Sequence, residues 1–148
     1  MSEEPSFEIS TDRNRMDLSM IHEFLCSSYW AAEIPREVVE RSIQNSLCFG
    51  AFLGGKQVAF ARVITDYATM AYLADVFVLP GHRGRGISKQ LLRAILAHPE
   101  LQGLRRILLA TQDAHGLYAQ FGFQPLERPD YFMTIHKPDM YRGGNREV

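Results

Sequence analysis

Between Met70 and Ala97 the hydrophobic period of the chain changes across a run of glycine and arginine, and this change constrains the fold more than any other feature. Met70–Leu79 is apolar almost throughout and reads as a buried strand, ended by Pro80-Gly81. Arg83-Gly84-Arg85-Gly86-Ile87-Ser88 follows, and then Ile87, Leu91, Leu92, Ile95 and Leu96 share one face of a helix that stops near His98-Pro99. A compact apolar strand, Arg105–Ala110, comes next. Strand, turn, helix and strand in this order specify a crossover unit in a sheet that has helices packed on it. The turn itself has a chemistry. A helix start offers free N–H groups and a partial positive charge, glycines let the backbone approach a ligand, and Arg83 and Arg85 add charge of the same sign. Such a place suits an anion, above all phosphate. The spacing alone is equally compatible with an ordinary tight turn carrying solvated arginines.

Ahead of the crossover lies an antiparallel meander. Phe7–Ser10 reads as a short first strand, Asp17–Tyr29 as a helix striped by Leu18, Ile21 and Leu25, and Pro35 as the first turn of a second helix bearing Val39 and Ile43. Leu47–Leu53 and Gln57–Thr65 are strands joined by the hairpin signal Gly54-Gly55, with Val58, Phe60, Arg62 and Ile64 expected on one face. After the crossover come a short helix, Ala114–Phe121, stopped by Gly122, and two expected final strands, Phe123–Leu126 and Tyr131–His136. The tail from Lys137 is polar and expected to be loose. The order predicts a single α/β domain over residues 1–148 with a mixed sheet.

Composition narrows the function. With 148 residues the chain can bury a full core without staples. A formal net charge of -1 argues against a dedicated nucleic-acid binder, although not against a local basic patch. Two cysteines, Cys26 and Cys48, form no disulfide framework, and no histidines cluster with metal-ligand spacing, so no metal is expected. The acidic N-terminus is unlike a signal peptide and no apolar run reaches membrane-spanning length, which points to the cytoplasm and away from membranes. Two phosphate-loop patterns are excluded. The dinucleotide fingerprint needs glycine where Lys89 stands, and no Gly-Lys-Ser or Gly-Lys-Thr exists.

Arg83-Gly84-Arg85-Gly86-Ile87-Ser88 resembles the Q/R-x-x-G-x-G/A motif of the GNAT superfamily of acetyl-CoA-dependent N-acetyltransferases, with Ser88 departing at the last position. Gly116-Leu117-Tyr118-Ala119-Gln120-Phe121-Gly122-Phe123, about thirty residues on, resembles that family's L-Y-x-x-x-G-F signature. Together the two motifs are far more specific than either alone, and the element order agrees from Phe7 to His136. The family's asparagine ahead of the tyrosine has its usual place at Thr111, and Asp113 is a candidate N-cap and coenzyme contact there.

The resemblance implies a GNAT-like fold, with a sheet splayed between the strand at Asp75–Leu79 and that at Arg105–Ala110, and acetyl-CoA in the gap as co-substrate. Carried over by position, Val76 and Val78 pair with pantetheine, and Arg83, Gly84, Arg85, Gly86, Ile87 and Ser88 hold the pyrophosphate. The Val76 N–H then polarises the thioester carbonyl and Tyr118 is the general acid. Asp75 is the first candidate for the general base, and is equally readable as a solvated residue or an anchor for a substrate ammonium. Asp66, Asp113 and His22 are the alternatives. The resemblance also places Tyr29, Trp30 and Tyr67 in the acceptor pocket, although Trp30 could instead close the core between the first two helices. Arg62 either pairs with Asp75 or binds an acceptor carboxylate. The acceptor implied is a primary amine of a small molecule, attacked in a ternary complex without a covalent enzyme intermediate. Acetylation of a protein N-terminus or lysine, and a non-catalytic acyl-CoA-binding module, are the other readings. Dimerisation through the C-terminal strands is an expectation.

Overall fold

A computed structural model describes residues 7–142. Five strands form one open mixed sheet in sequence order: β1 (Glu8–Ser10), β2 (Leu47–Leu53), β3 (Lys56–Thr65), β4 (Met70–Val78) and β5 (Arg106–Leu109). The first four run antiparallel and β5 joins β4 in parallel through α3 (Ile87–Ala97). The hairpin between β2 and β3 forms at Gly54-Gly55, both left-handed as a two-residue turn requires. The remaining helices are α1 (Leu18–Cys26), α2 (Arg36–Gln44) and α4 (His115–Ala119). Asp17 caps α1 by accepting from the Met20 N–H, and Pro35 stands as the residue just before α2 rather than in its first turn.

The sheet separates two apolar cores. Ile21, Leu25, Val39 and Ile43 from α1 and α2 pack on Cys48, Phe60 and Phe77. Ile87, Leu91, Leu92 and Ile95 from α3 pack with Tyr118 on the opposite face, against Phe49, Ala51, Ala61, Val63, Ala71, Leu73 and Val78. Two register shifts decide which side chain reaches which core. In β3, Ala51 pairs with Ala59 and Phe52 with Gln57, so Val58 is an extra residue and turns into the α3 core. The expected one-sided stripe of Val58, Phe60, Arg62 and Ile64 therefore fails at Val58, because a bulge resets strand alternation. In β4, Arg62 pairs with Ala74 and Phe60 with Phe77, leaving Asp75 and Val76 opposite the single residue Ala61. Ahead of this bulge Ala71 and Leu73 face α3; beyond it Val78 does, and Phe77 faces α1 and α2.

The two expected C-terminal strands are absent among the described residues. Phe123–Leu126 contains Pro125, which cannot donate to a ladder, and Pro129–Tyr131 forms a 3-10 turn. Phe132 to His136 has no sheet partner, and Met133 and Ile135 are 98% and 93% exposed. The tail is less loose than its polarity suggests, since Tyr141 packs against the α1–α2 core. Its last residues, 143–148, and the acidic residues 1–6 lie outside the described residues.

Candidate active site

The site sits where β4 and β5 part. Pairing runs from Met70 with Arg106 to Leu73 with Leu109 and stops there, while β4 continues to Val78. The upper half of β4 thus has β3 on one side and an open edge on the other. The Leu79 N–H donates to the Val58 carbonyl on the β3 side, so strand alternation turns the N–H groups of Val78 and Val76 towards the open edge. An open edge is a template for an extended ligand that carries amides.

The bulge at Asp75 separates the strands, and its side chain is held firmly. Asp75 has φ +54, a left-handed conformation uncommon outside glycine and one that costs about 1–3 kcal/mol. One carboxylate oxygen accepts from the Trp30 indole N–H at 2.8 Å and the other from the Arg62 Nε–H at 2.8 Å. The ion pair is nearly enclosed, with side chains 16% and 10% exposed for Arg62 and Asp75. Arg62 also donates to the Ser46 hydroxyl at 3.2 Å. Of the two sequence readings of Arg62, the structure has the pair with Asp75.

Trp30 reaches Asp75 from the α1–α2 loop, which is itself well tied. The buried Ser28 hydroxyl donates to the Leu25 carbonyl and accepts from the Ala31 N–H, and the Glu33 N–H bonds the Cys26 carbonyl. Trp30 lies at the rim rather than inside the core, 42% exposed, with Tyr29 edge-on to it at 5.0 Å and Phe24 at 6.3 Å. Phe24 stacks in turn on Phe77, centroids 3.9 Å apart. Tyr67 is not part of this group. It occupies the β3–β4 turn, and Met70 to Asp75 alone spans roughly 17 Å of strand.

Beyond β4 the chain forms a groove of about 220 Å³ lined by Val78, His82, Arg83, Gly84, Gly86, Ile87, Ser88, Lys89 and Leu117. Gly84 (φ +81) and Gly86 (φ +77) are left-handed, and a Cβ on either would meet no atom within 4 Å. Glycine is therefore required by backbone conformation, and the space above the loop is open to a ligand. Gly86 is the N-cap of α3 and makes no side-chain cap bond, so the first N–H groups of the helix point out beside Arg85 and Lys89. Arg83 spends its Nε–H on the Val78 carbonyl at 3.0 Å. Among the described residues, His82 Nδ1 is the one buried side-chain polar atom without a partner, and its residue lines this groove. A loop of free N–H groups, nearby cations, open space over two glycines and an unmet polar atom together fit a pyrophosphate and the chain attached to it.

Tyr118, on α4, is buried against the α3 core with Phe123 edge-on at 5.8 Å. Burial raises its phenol above the ordinary range, and the Tyr29 phenol and Asp113 carboxylate add to the rise, so the hydroxyl stays protonated at neutral pH. Asp113 is not the cap of α4. Ala114 holds that position without a side-chain cap, and its own N–H donates to the Thr111 hydroxyl at 3.1 Å in the loop before the helix. Asp66 braces the β3–β4 turn, where bonds from Thr69 and from the Thr69 and Ala68 N–H groups hold its carboxyl far below the usual range. His22 Nε2 lies 3.0 Å from the Ile34 carbonyl. Cys48 is buried and its thiol is pushed up to about 11 by burial.

An open sheet split beside a glycine loop fits a class of protein: a transferase that draws its donor from a phosphate-bearing coenzyme. Comparison with known proteins makes this specific. Residues 17–123 match the model of the acetyltransferase (GNAT) family, and the chain belongs to that family. It is an acetyltransferase that uses acetyl-CoA. A GNAT-family acetyltransferase structure from Xanthomonas campestris pv. campestris is 56% identical, with TM-score 0.91, over 93% of this chain and 98% of that one. A protein of Gibberella zeae provisionally named an acetyltransferase is 30% identical over 135 residues, 76% of this chain and 75% of its own length. An acetyltransferase structure from Clostridium acetobutylicum, described with acetyl-CoA, shares the fold at TM-score 0.68 and 16% identity, over 88% of this chain and 95% of that one.

Proposed function

We propose that the protein acetylates a primary amine of a small molecule by direct attack within a ternary complex. The observation that carries this reading is the open edge of β4 above Leu73, which lies between the glycine loop and the Tyr29–Trp30 wall. Acetyl-CoA as substrate lies along that edge, its pantetheine amides bonded to Val76 and Val78 and its pyrophosphate on Arg83 to Ser88. Asp113 contributes from the loop before α4. The acceptor nitrogen, neutral after losing its ammonium proton to water, attacks the thioester carbon. A C–N bond forms, the C–S bond breaks, and the Val76 N–H stabilises the oxyanion between these events. The departing thiolate takes its proton from Tyr118, which burial keeps protonated at neutral pH, and the proton shed by the amide nitrogen returns through water to the phenolate.

Direct attack is supported by the cysteines. Cys48 is buried with its thiol raised, and Cys26 bonds the Glu23 carbonyl on α1, so neither is set up as a nucleophile. Unpaired cysteines also favour a reducing, cytoplasmic compartment. No helix among the described residues is long and apolar enough to cross a membrane. Tyr29 and Trp30, amphipathic and partly exposed, suit a small amine, with Arg62 behind them. Tyr67 contributes from the β3–β4 turn only to an acceptor long enough to reach it. We also infer a homodimer. The outer edge of β5 has no strand partner, and the alternating segment Tyr131 to His136 leaves Met133 and Ile135 in water, so a second copy meets both needs.

Free-thiol release from acetyl-CoA across an amine panel tests the reading. Turnover with small amines but not with peptides supports it. Turnover with peptide N-termini or lysines alone, or binding without turnover, refutes it in favour of a protein acetyltransferase or a silent coenzyme-binding module. Sedimentation of Ile135→Glu beside the wild type tests the dimer, and a wild type that sediments as a monomer at all concentrations refutes it.

A further inference from the structure

We infer that Asp75 is a positioning residue, which with Trp30 and Arg62 clamps the left-handed bulge that aims the Val76 N–H. The inference rests on the reading that this N–H meets the thioester. Three observations carry it. Asp75 has φ +54 in a strand where every neighbour is extended, and nothing about a free carboxylate would hold it there. Both of its oxygens are engaged at 2.8 Å, by donors on two different elements, the α1–α2 loop and β3. The residue that follows, Val76, is the one whose N–H direction the bulge sets, because Asp75 and Val76 together oppose Ala61 alone. Each oxygen keeps a further acceptor site, but the orientation of the carboxylate is set by an indole N–H and a guanidinium. The arrangement also joins two halves of the reaction. Trp30, part of the acceptor wall, is bonded to the residue that shapes the coenzyme strand, so the two substrates' sites are set by one carboxylate.

Asparagine tolerates the left-handed region but has one acceptor oxygen and a donating NH2, so it holds Arg62 and releases Trp30; glycine adopts the region without strain and holds neither donor, and alanine does neither. The test therefore compares Asp75→Asn, Asp75→Gly and Asp75→Ala in the full chain. Three readouts are used: kcat for thiol release with acetyl-CoA and a working amine, calorimetric acetyl-CoA affinity, and the NMR positions of the Val76 amide and the Trp30 indole N–H. The chain has a single tryptophan, so the indole signal is unambiguous. Asp75→Asn is expected to keep the Val76 amide near its wild-type position, to move the indole signal and to lower kcat by about threefold. Asp75→Gly moves the indole signal, keeps the Val76 amide and lowers kcat by about tenfold. Asp75→Ala moves both and loses about a hundredfold in kcat, the scale of a misplaced oxyanion donor, with a much smaller change in acetyl-CoA affinity.

Two results overturn the clamp. One is an Asp75→Asn that loses kcat as deeply as alanine while the Val76 amide stays native, which would make Asp75 the proton acceptor. The other is an Asp75→Ala whose Val76 amide does not move. Absence of acetyl-CoA binding or turnover in the wild type is a separate failure, that of the coenzyme reading. In that case the two signals in the ligand-free variants still decide whether the clamp exists.

Discussion

Gly86→Ala separates the folding role of the glycine loop from its binding role. Gly86 sits at φ +77, and placing alanine there costs about 1–2 kcal/mol. No steric penalty is added, because the new Cβ meets nothing within 4 Å. For a chain of this size the melting temperature falls by about 2–4 °C per kcal/mol, so a drop of roughly 2–8 °C is expected. Gly54 provides the control. It is left-handed too, at φ +58, its Cβ would also be in open space, and it lies in the β2–β3 hairpin away from the groove. Gly54→Ala should melt over a similar range. Acetyl-CoA affinity should distinguish them. A methyl group in the phosphate cradle displaces one charge-assisted hydrogen bond worth about 1.5–3 kcal/mol, a loss of roughly 10- to 150-fold. Calorimetric titration of both variants measures this directly. Equal affinity in the two would refute the assignment of the cradle, whatever the melting temperatures.

Tyr118→Phe keeps the ring against Phe123 and removes only the proton donor, so it should lower kcat by about 10²-fold or more with little change in the acetyl-CoA KM. Because burial raises the phenol, kcat should not decline through Tyr118 ionisation until the pH exceeds about 10; a wild-type decline below that, absent from Tyr118→Phe, would contradict the acid role. Cys48 makes the fold alkali-sensitive. Its thiol is pushed from 9.0 to about 11, so between those values the unfolded chain gives up a proton that the folded chain keeps. Stability falls as pH rises through that window, by up to about 3 kcal/mol, and is unaffected by this group below it. Urea titrations of wild type and Cys48→Ala should differ in slope against pH only there, and parallel curves would show that burial does not hold the thiol. At pH 8 a thiol reagent should modify Cys26 readily and Cys48 only on unfolding, as counted by mass.

The parts of the fold legible in the sequence were those governed by local chemistry. The bounds of β2, the hairpin at Gly54-Gly55, the glycine loop and the apolar face of α3 all follow from turn residues and periodicity. What alternation cannot report is an inserted residue. The bulges at Val58 and Asp75 change which core a side chain enters, yet each is one more apolar or acidic letter in a strand. Tyr131 to His136 alternates as a strand should, but alternation describes a segment able to pair and says nothing of whether a partner is there. In the site, the pair of Arg62 and Asp75 was one of two sequence readings, because a cation and an anion stood on adjacent antiparallel strands. The bond from Trp30, 45 residues away, needs the α1–α2 loop to fold back over the sheet, and no local signal encodes that distance.

The bulge in β4 also acts as a phase converter. Leu73 and Val78 face the same core although an odd number of steps separates them, and Phe77 reaches the other one. Flattening the bulge while keeping every residue would restore unbroken alternation from Leu73 and exchange the destinations of Phe77 and Val78. Phe77 would be driven at α3, its stack on Phe24 would be lost, and the glycine loop would leave the sheet half a pleat out of place. The extra residue and its left-handed turn therefore belong together: loss of the turn alone misdirects Phe77 and Val78, whereas loss of both leaves each facing its present core. Libraries aimed at the acceptor pocket should vary Tyr29 and its neighbours while holding Asp75, Trp30 and Arg62 fixed.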